Sequence, residues 1–337
     1  FGLNRFDREK ITVYQEDKDN PYSLPYNDVV FLEEDAARNI WVGTSRGLAI
    51  FDRNTRKFAC QELDGEPVVA TCCLLMSDGV YFFGMKGVYY YSYVEKKIGK
   101  CELKNTMPVS VPNHAYWYDE KDGKIILSFR GNGIWWYYPK TGTMERVSFT
   151  QEKNIPALFL DSHGRTWVSV YNKGVYCYDR EGRLIEHLKT PERLTHNVVQ
   201  DMREKDGELW LATDGGGINI LDPETGQFSL LEHIPGRDNY SLPANSILCL
   251  YNDRNNNMWA GSIRNGLISI REVSMKTYKD VLPGNDRGLS NSTVLSLFQE
   301  SENRIWIGTD GGGINSFNPF TEKFAHYPST WEDKVAS

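Results

Sequence analysis

The sequence predicts an all-β protein, a seven-bladed β-propeller of four-stranded antiparallel blades. Three observations carry that expectation. A tryptophan or an apolar stand-in recurs at Trp41, Phe82, Ile126, Trp167, Trp210, Trp259 and Trp306, at separations of 41, 44, 41, 43, 49 and 47 residues. A period of roughly 40–50 residues marks an array of one supersecondary unit. Each copy also divides into four short apolar runs separated by turn residues, the pattern of an antiparallel meander. Finally, no segment carries a convincing helical period.

Residues 29–63 show how one unit is built. Val29-Val30-Phe31-Leu32 is strand A, and Glu34 to Asn39 a turn. Strand B is Ile40-Trp41-Val42-Gly43-Thr44, and Gly47 in the turn after it is free to take positive φ. Leu48-Ala49-Ile50-Phe51-Asp52 is strand C, and Lys57-Phe58-Ala59-Cys60-Gln61 is strand D. The same reading fits 68–103, 114–149, 155–188, 197–231, 246–280 and 293–327. A blade is apolar on both sides because two neighbours sandwich it, and radial repetition of such sheets gives a propeller.

The N-terminal Gly2-Leu3-Asn4-Arg5-Phe6-Asp7 resembles Gly47-Leu48-Ala49-Ile50-Phe51-Asp52. Residues 2–16 therefore read as strands C and D of a preceding repeat, in a fragment of a longer protein. Seven complete repeats closing one ring over 1–337 is the preferred organisation, because half a blade in a ring leaves open sheet edges. The alternative puts a boundary to a second propeller within the long connection 272–292.

The meander also fixes which turns share a face. A–B and C–D turns lie on one side, B–C turns and D-to-A connections on the other. The second face carries the longer segments, Asp17 to Asp28, Glu232 to Asn245 and Lys279 to Ser292. Binding groups concentrate on loops held by a rigid scaffold. The candidate ligand residues are accordingly Arg46, Arg130, Tyr171, Asn172 and Arg264 in B–C turns, with Tyr22, Tyr26 and Tyr240 in the connections. Lys86 occupies an equivalent B–C turn.

Composition narrows the function classes. A net charge of −7 argues against a nucleic-acid partner, which calls for a basic surface. No run of about 18 apolar residues is present, so no segment reads as a membrane-spanning helix. The six cysteines, Cys60, Cys72, Cys73, Cys101, Cys177 and Cys249, form no CxxC pair, and no His stands at zinc spacing. They read as small hydrophobes, with Cys72 and Cys73 on opposite faces of one strand. No metal and no cofactor are expected.

Other motifs have architectural readings. Asp35, Glu120, Asp161, Glu204, Asp253 and Glu300 each stand six residues before an anchor, with Met76 the exception. Such regularity suits acceptors for turn N–H groups rather than catalysis. Asp214-Gly215-Gly216-Gly217 and Asp310-Gly311-Gly312-Gly313 lack the following helix that a phosphate loop needs, so they read as tight turns. Trp135-Trp136-Tyr137-Tyr138 and Tyr89-Tyr90-Tyr91 read as packing between blades. No HExxH, Gly-x-Ser-x-Gly or Cys/His pairing nominates a nucleophile. Some propellers are glycosidases or lyases, but that would require clustered acids or His in the B–C turns, where only Asp214 and Asp310 occur.

The unit lacks the Gly-His and Trp-Asp marks of WD40 blades. It resembles the two-component regulator propeller repeat, through Leu295-Ser296-Leu297-Phe298-Gln299-Glu300, Arg304-Ile305-Trp306-Ile307-Gly308-Thr309-Asp310-Gly311-Gly312-Gly313-Ile314-Asn315 and Phe324-Ala325-His326-Tyr327. The linkers Tyr22-Ser23-Leu24-Pro25-Tyr26-Asn27 and Arg287-Gly288-Leu289-Ser290-Asn291-Ser292 are similar to those before the family's strands A. The resemblance implies the non-catalytic periplasmic sensor region of a Bacteroides-type hybrid two-component system, part of an inner-membrane protein. It implies a full-length sensor histidine kinase, homodimeric, with a neighbouring propeller and a β-sandwich domain in the same chain. It further implies an oligosaccharide ligand and control of polysaccharide-utilisation genes. A ligand-free interaction or dimerisation scaffold is the alternative. No family-wide binding residues carry over.

Overall fold

Apolar positions on both faces of each short run drive sheets that bury both sides, and sheets are what the chain forms. The structure, a computed structural model, describes residues 2–6, 10–119, 123–235, 241–270, 278–282, 285–301, 303–319 and 321–327. Among these residues every regular element is a strand. β1 (Leu3–Phe6) and β2 (Ile11–Tyr14) form a hairpin. Blade one is β3 (Val29–Glu34), β4 (Ile40–Thr44), β5 (Leu48–Asp52) and β6 (Lys57–Leu63), extended by β7 (Glu66–Pro67). Blade two is β8 (Cys72–Leu75), β9 (Gly79–Gly84), β10 (Gly87–Ser92) and β11 (Lys97–Lys100). Blade three is β12 (Pro112–Asp119), β13 (Lys124–Phe129), β14 (Gly133–Tyr138) and β15 (Thr143–Arg146). Blade four is β16 (Leu158–Leu160), β17 (Thr166–Val170), β18 (Gly174–Tyr178) and β19 (Leu184–Leu188).

Blade five is β20 (Val199–Lys205), β21 (Glu208–Thr213), β22 (Ile218–Leu221) and β23 (Phe228–Leu231). Blade six shows β24 (Ile247–Asn252), β25 (Met258–Ser262) and β26 (Leu267–Ile270), the place of its fourth strand lying outside the described residues. The last repeat is β27 (Val294–Ser301), β28 (Arg304–Thr309), β29 (Gly313–Asn318) and β30 (Lys323–Tyr327). Within every sheet, sequence neighbours pair antiparallel, so each is the expected meander.

The chain divides into two compact units, Phe1–Arg271 and Glu272–Ser337. The division lies at the start of the 272–292 connection. The reason is visible in burial. The last repeat gathers a core of its own around Leu289, Ile307 and Phe324, while all eight residues of β27 are exposed.

The core of the first unit lies between sheets. Trp41, Leu48 and Ile50 of blade one meet Phe82, Val80 and Tyr91 of blade two. Cys72 and Phe83 meet Leu127 and Tyr137 of blade three, Trp136 and Ile126 meet Val168 and Tyr178 of blade four, and the sequence of interfaces continues to blade six. The N-terminal hairpin does the same on the opposite face of blade one. Tyr14 packs edge-on against Phe51 and Phe58, at centroid distances of 5.1 and 5.7 Å. On the A–B face, Glu34 of blade one pairs with Arg53 at 2.8 Å and also with Arg254 of blade six.

All five tryptophan anchors stand on second strands, but their burial differs. Trp41, Trp167 and Trp210 are buried, whereas Trp259 and Trp306 are half-buried. The cause is directional packing: each of the three buried indoles inserts toward the next blade. Among the described residues neither Trp259 nor Trp306 joins such a cluster. Cys72 and Cys73 do fall on opposite faces, in different inter-blade clusters. The cysteines are free, yet Cys60 and Cys249 are exposed, so only part of the set serves as buried apolar filler.

Backbone crowding fixes two turn glycines. Gly174 and Gly217 take φ of +86° and +75°, and a Cβ at either would sit 2.1 or 2.2 Å from the carbonyl oxygen of Leu188 or Leu231. No other residue fits where the third strand begins beneath the fourth.

Candidate functional site

The carboxylates six residues ahead of the anchors have a definite task. Asp35 Oδ2 accepts the Trp41 indole N–H at 2.8 Å, and Asp35 Oδ1 the Asn39 backbone N–H at 2.9 Å. Asp161 repeats this with Trp167 at 2.9 Å, Asp253 with Trp259 at 2.9 Å and Glu300 with Trp306 at 3.0 Å. The hydrogen bonds to Asp253 hold its carboxyl far below the usual carboxylate range, that from the Trp259 indole first. Glu204 departs from the pattern, accepting Ser162 N and Oγ at 2.7 and 2.5 Å from the preceding blade and leaving the Trp210 N–H without a partner. Glu120 lies outside the described residues. Among the described residues this set is architecture, as its regularity suggests.

The Asp-Gly-Gly-Gly segment at 214–217 closes the B–C turn of blade five. Thr213 Oγ1 accepts Gly216 N at 3.0 Å and donates to the Gly217 carbonyl at 2.8 Å. The strand that follows cannot converge amides on a phosphate as a helix does. The aromatic runs are packing elements too: Trp136, Tyr137, Tyr89 and Tyr91 are all buried.

In the first unit the strands A, β3, β8, β12, β16, β20 and β24, form an inner tier, each in contact with the next. Within that tier sits a polar cluster. Arg203 Nη1 is 2.8 Å from Asp201 Oδ1, and Asp201 Oδ2 accepts Leu250 N at 2.8 Å. Burial pushes Tyr116 up to about 12. His114, with Nδ1 2.9 Å from Ser128 Oγ, is lowered to about 4 by burial and then by the Arg203 charge.

A cleft of about 590 Å³ opens on the face of the B–C turns and D-to-A connections. Asp28 and Ser45 of blade one, Met85 and Lys86 of blade two and Val111 and Arg130 of blade three line it. Val30, Val69 and Thr71 add to the wall. Each contributing segment is either a B–C turn or the entry to a strand A. The turns are held by backbone bonds: Ser45 N to Asp28 O at 3.0 Å, and Arg130 N to Val111 O at 2.9 Å. A second hollow of about 410 Å³ shares Lys86 and includes Lys100 and Glu102.

Of the residues singled out from sequence, Arg130 lines the cleft. Arg46 lies over the Tyr26 ring at 4.2 Å, a cation–π pair beside it. Tyr22 takes Lys57 over its ring at 4.4 Å, next to the outer strand β6. Tyr171 and Asn172 are exposed in the turn of blade four, where Asn172 holds φ of 60° and so shapes the turn. Arg264 is exposed in the turn of blade six. Tyr240 lies outside the described residues. The cleft's apolar wall had no sequence mark, since Val30, Val69 and Val111 look like any strand residue.

Residues 241–264 and 288–311 match the two-component regulator propeller family. Two stretches of the chain are thus similar to the repeat of that family. These repeats lie in blade six and the last repeat, where the Trp anchors keep their carboxylate partners. No curated protein matches the chain. Among solved structures, the extracellular domain of a hybrid two component system from B. thetaiotaomicron is similar over 97% of this chain and 44% of its own, at 22% identity and a TM-score of 0.65. A second such domain from the same organism is similar over 93% and 52%, at 16% identity and a TM-score of 0.51. PorZ, a surface component of the type-IX secretion system of Porphyromonas gingivalis, is similar over 91% and 52%, at 13% identity and a TM-score of 0.57. The propeller repeats described here thus span about half the length of these structures.

The inner tier makes a pH prediction. The folded state accommodates a neutral His114, which takes up its proton only near pH 4, against 6.5 for the ordinary group. A depressed folded pKa means that the unfolded chain binds the proton first as pH falls. Stability from this group is full above about pH 6.5 and is lost as pH drops toward 4. Melting temperatures should fall over that window, and His114→Asn should remove that part of the fall. An unchanged pH profile in the variant would assign the loss to other groups.

Proposed function

We propose that these propeller repeats are the extracytoplasmic, ligand-sensing part of a hybrid two-component system, and that the ligand is an oligosaccharide. The observation that carries this reading is the cleft: a hollow of about 590 Å³ on the face of variable loops, walled by Val30, Val69, Met85 and Val111 and edged by polar side chains. Ligand pockets commonly combine such apolar walls with a few placed polar groups at this scale. The family match and the likeness to extracellular domains of hybrid two-component systems support a sensory, non-enzymatic role. The periplasmic location, the inner-membrane anchorage, the homodimer and the histidine kinase, second propeller and β-sandwich of a full-length receptor belong to the same proposal. So does the control of polysaccharide-utilisation genes. Arg46 and Tyr26 are the proposed flank of the site, with Tyr171, Asn172, Arg264, Tyr22 and Tyr240 more distant candidates.

A ligand that binds only the folded state raises its stability by about 2.7 kcal/mol at a hundredfold excess over Kd. Melting the purified chain against a panel of oligosaccharides should therefore reveal at least one that raises the transition by several degrees. A panel without any stabilising sugar would favour the ligand-free scaffold.

A further inference from the structure

We propose that the cleft takes an anionic glycan, one bearing a carboxylate or a sulfate, held between Lys86 and Arg130. The proposal rests on the ligand-sensing reading and narrows it to a chemical class. Both cations line the same hollow, from the B–C turns of adjacent blades. Both are exposed, and neither has an ion-pair partner among the described residues. Asp28, on the blade-one side, is the one acidic residue of the lining, so the cleft carries an excess of positive charge in a chain of net charge −7. A solvated lysine or arginine in a turn is ordinary. Two of them converging on one hollow with apolar walls, against the sign of the whole molecule, is a recognition feature.

The chemistry divides cleanly between the two kinds of group. Arg130 offers a planar fork that suits both oxygens of a carboxylate or two of a sulfate, and Lys86 offers a point charge to the same group or to the next along the chain. Val30, Val69, Met85 and Val111 meet the apolar faces of the sugar rings. The second hollow shares Lys86 and adds Lys100, with Glu102 as its acidic member, so a longer anionic chain has a continuation outward along the lysine side of the blade-two turn. Arg46 is committed to the Tyr26 ring and flanks this path rather than forming it.

The test is a glycan array carrying neutral, uronate-bearing and sulfated oligosaccharides, probed with the 337-residue chain and with its Lys86→Gln/Arg130→Gln variant. Binding to charged glycans should weaken on the order of 10-fold or more in the variant, the usual scale for losing charge-assisted hydrogen bonds. It should also weaken as salt is raised from about 0.05 to about 0.5 M, because exposed charges are screened. Uronate-only or sulfate-only binding identifies the anionic group. Binding to neutral sugars alone, or charged-glycan binding that the variant retains, overturns the proposal and leaves the sensing reading standing. Binding to nothing on the array overturns both. Should the variant fail to fold, Lys86→Arg/Arg130→Lys with the salt titration decides: binding that does not respond to salt is the overturning result.

Discussion

Replacing Trp41 by alanine should destabilise the first unit by about 3–5 kcal/mol, the range for deleting a large buried aromatic. Trp41 is 0% exposed and touches two rings of the next blade, Phe82 at 4.7 Å and Tyr91 at 4.8 Å between centroids. Its loss removes aromatic contacts, leaves a cavity in an interface and strands the Asp35 carboxylate that accepted the indole N–H. The same substitution at Trp259, half-buried and outside any inter-blade cluster, should cost clearly less. Chemical denaturation of the two variants is the measurement. Equal losses would refute the directional packing of anchors into the next blade.

Removing Asp161 should be nearly as damaging, although the side chain is short and touches no ligand. It accepts four hydrogen bonds: from the backbone N–H groups of His163 and Arg165 at 3.0 and 2.8 Å, from Arg165 Nε at 2.6 Å and from the Trp167 indole at 2.9 Å. Asp161→Ala leaves a buried indole N–H without a partner and a partly buried guanidinium with Glu224 alone, 3.1 Å from its Nη1. Breaking a buried pair on one side costs about 3–5 kcal/mol. Asp161→Asn keeps one oxygen and should retain part of the stability. The exposed counterpart Glu300, which makes the same contact to Trp306, should lose far less on substitution by Ala, since water replaces what is removed. Comparable losses at both positions would show that burial does not govern the tie.

These two residues also mark how far the sequence could be read. The meander followed from periodicity, because apolar runs and turns repeat with little ambiguity, and the assigned strands sit where the runs are. The carboxylates were legible as turn acceptors but not as partners of the indole. A partial signal for that was present: Met76 replaces the acid ahead of Phe82, which has no N–H to donate, although Glu120 is kept ahead of Ile126, which has none either. The division into two compact units has no clear mark in the sequence, since the repeats are alike: β27 reads like any strand A, yet all of its residues are exposed. The cleft was half visible. Arg130 and Lys86 stand out in their turns, whereas the valines that give the hollow its depth are indistinguishable, in sequence, from those that fill the core.

The tie between an acid and an indole six residues later has a consequence for how the molecule is made. It spans a single hairpin turn, so it can close as soon as that stretch of chain is free to fold, with little loop entropy to overcome. The indole's faces must wait for the following blade to arrive. Synthesis would then proceed as a ratchet: each hairpin is pinned early, presents an aromatic ring to the solvent, and is capped by the next roughly forty-residue segment to emerge. On this view the vulnerable interval for any nascent propeller of this type is the time between one tryptophan and the next.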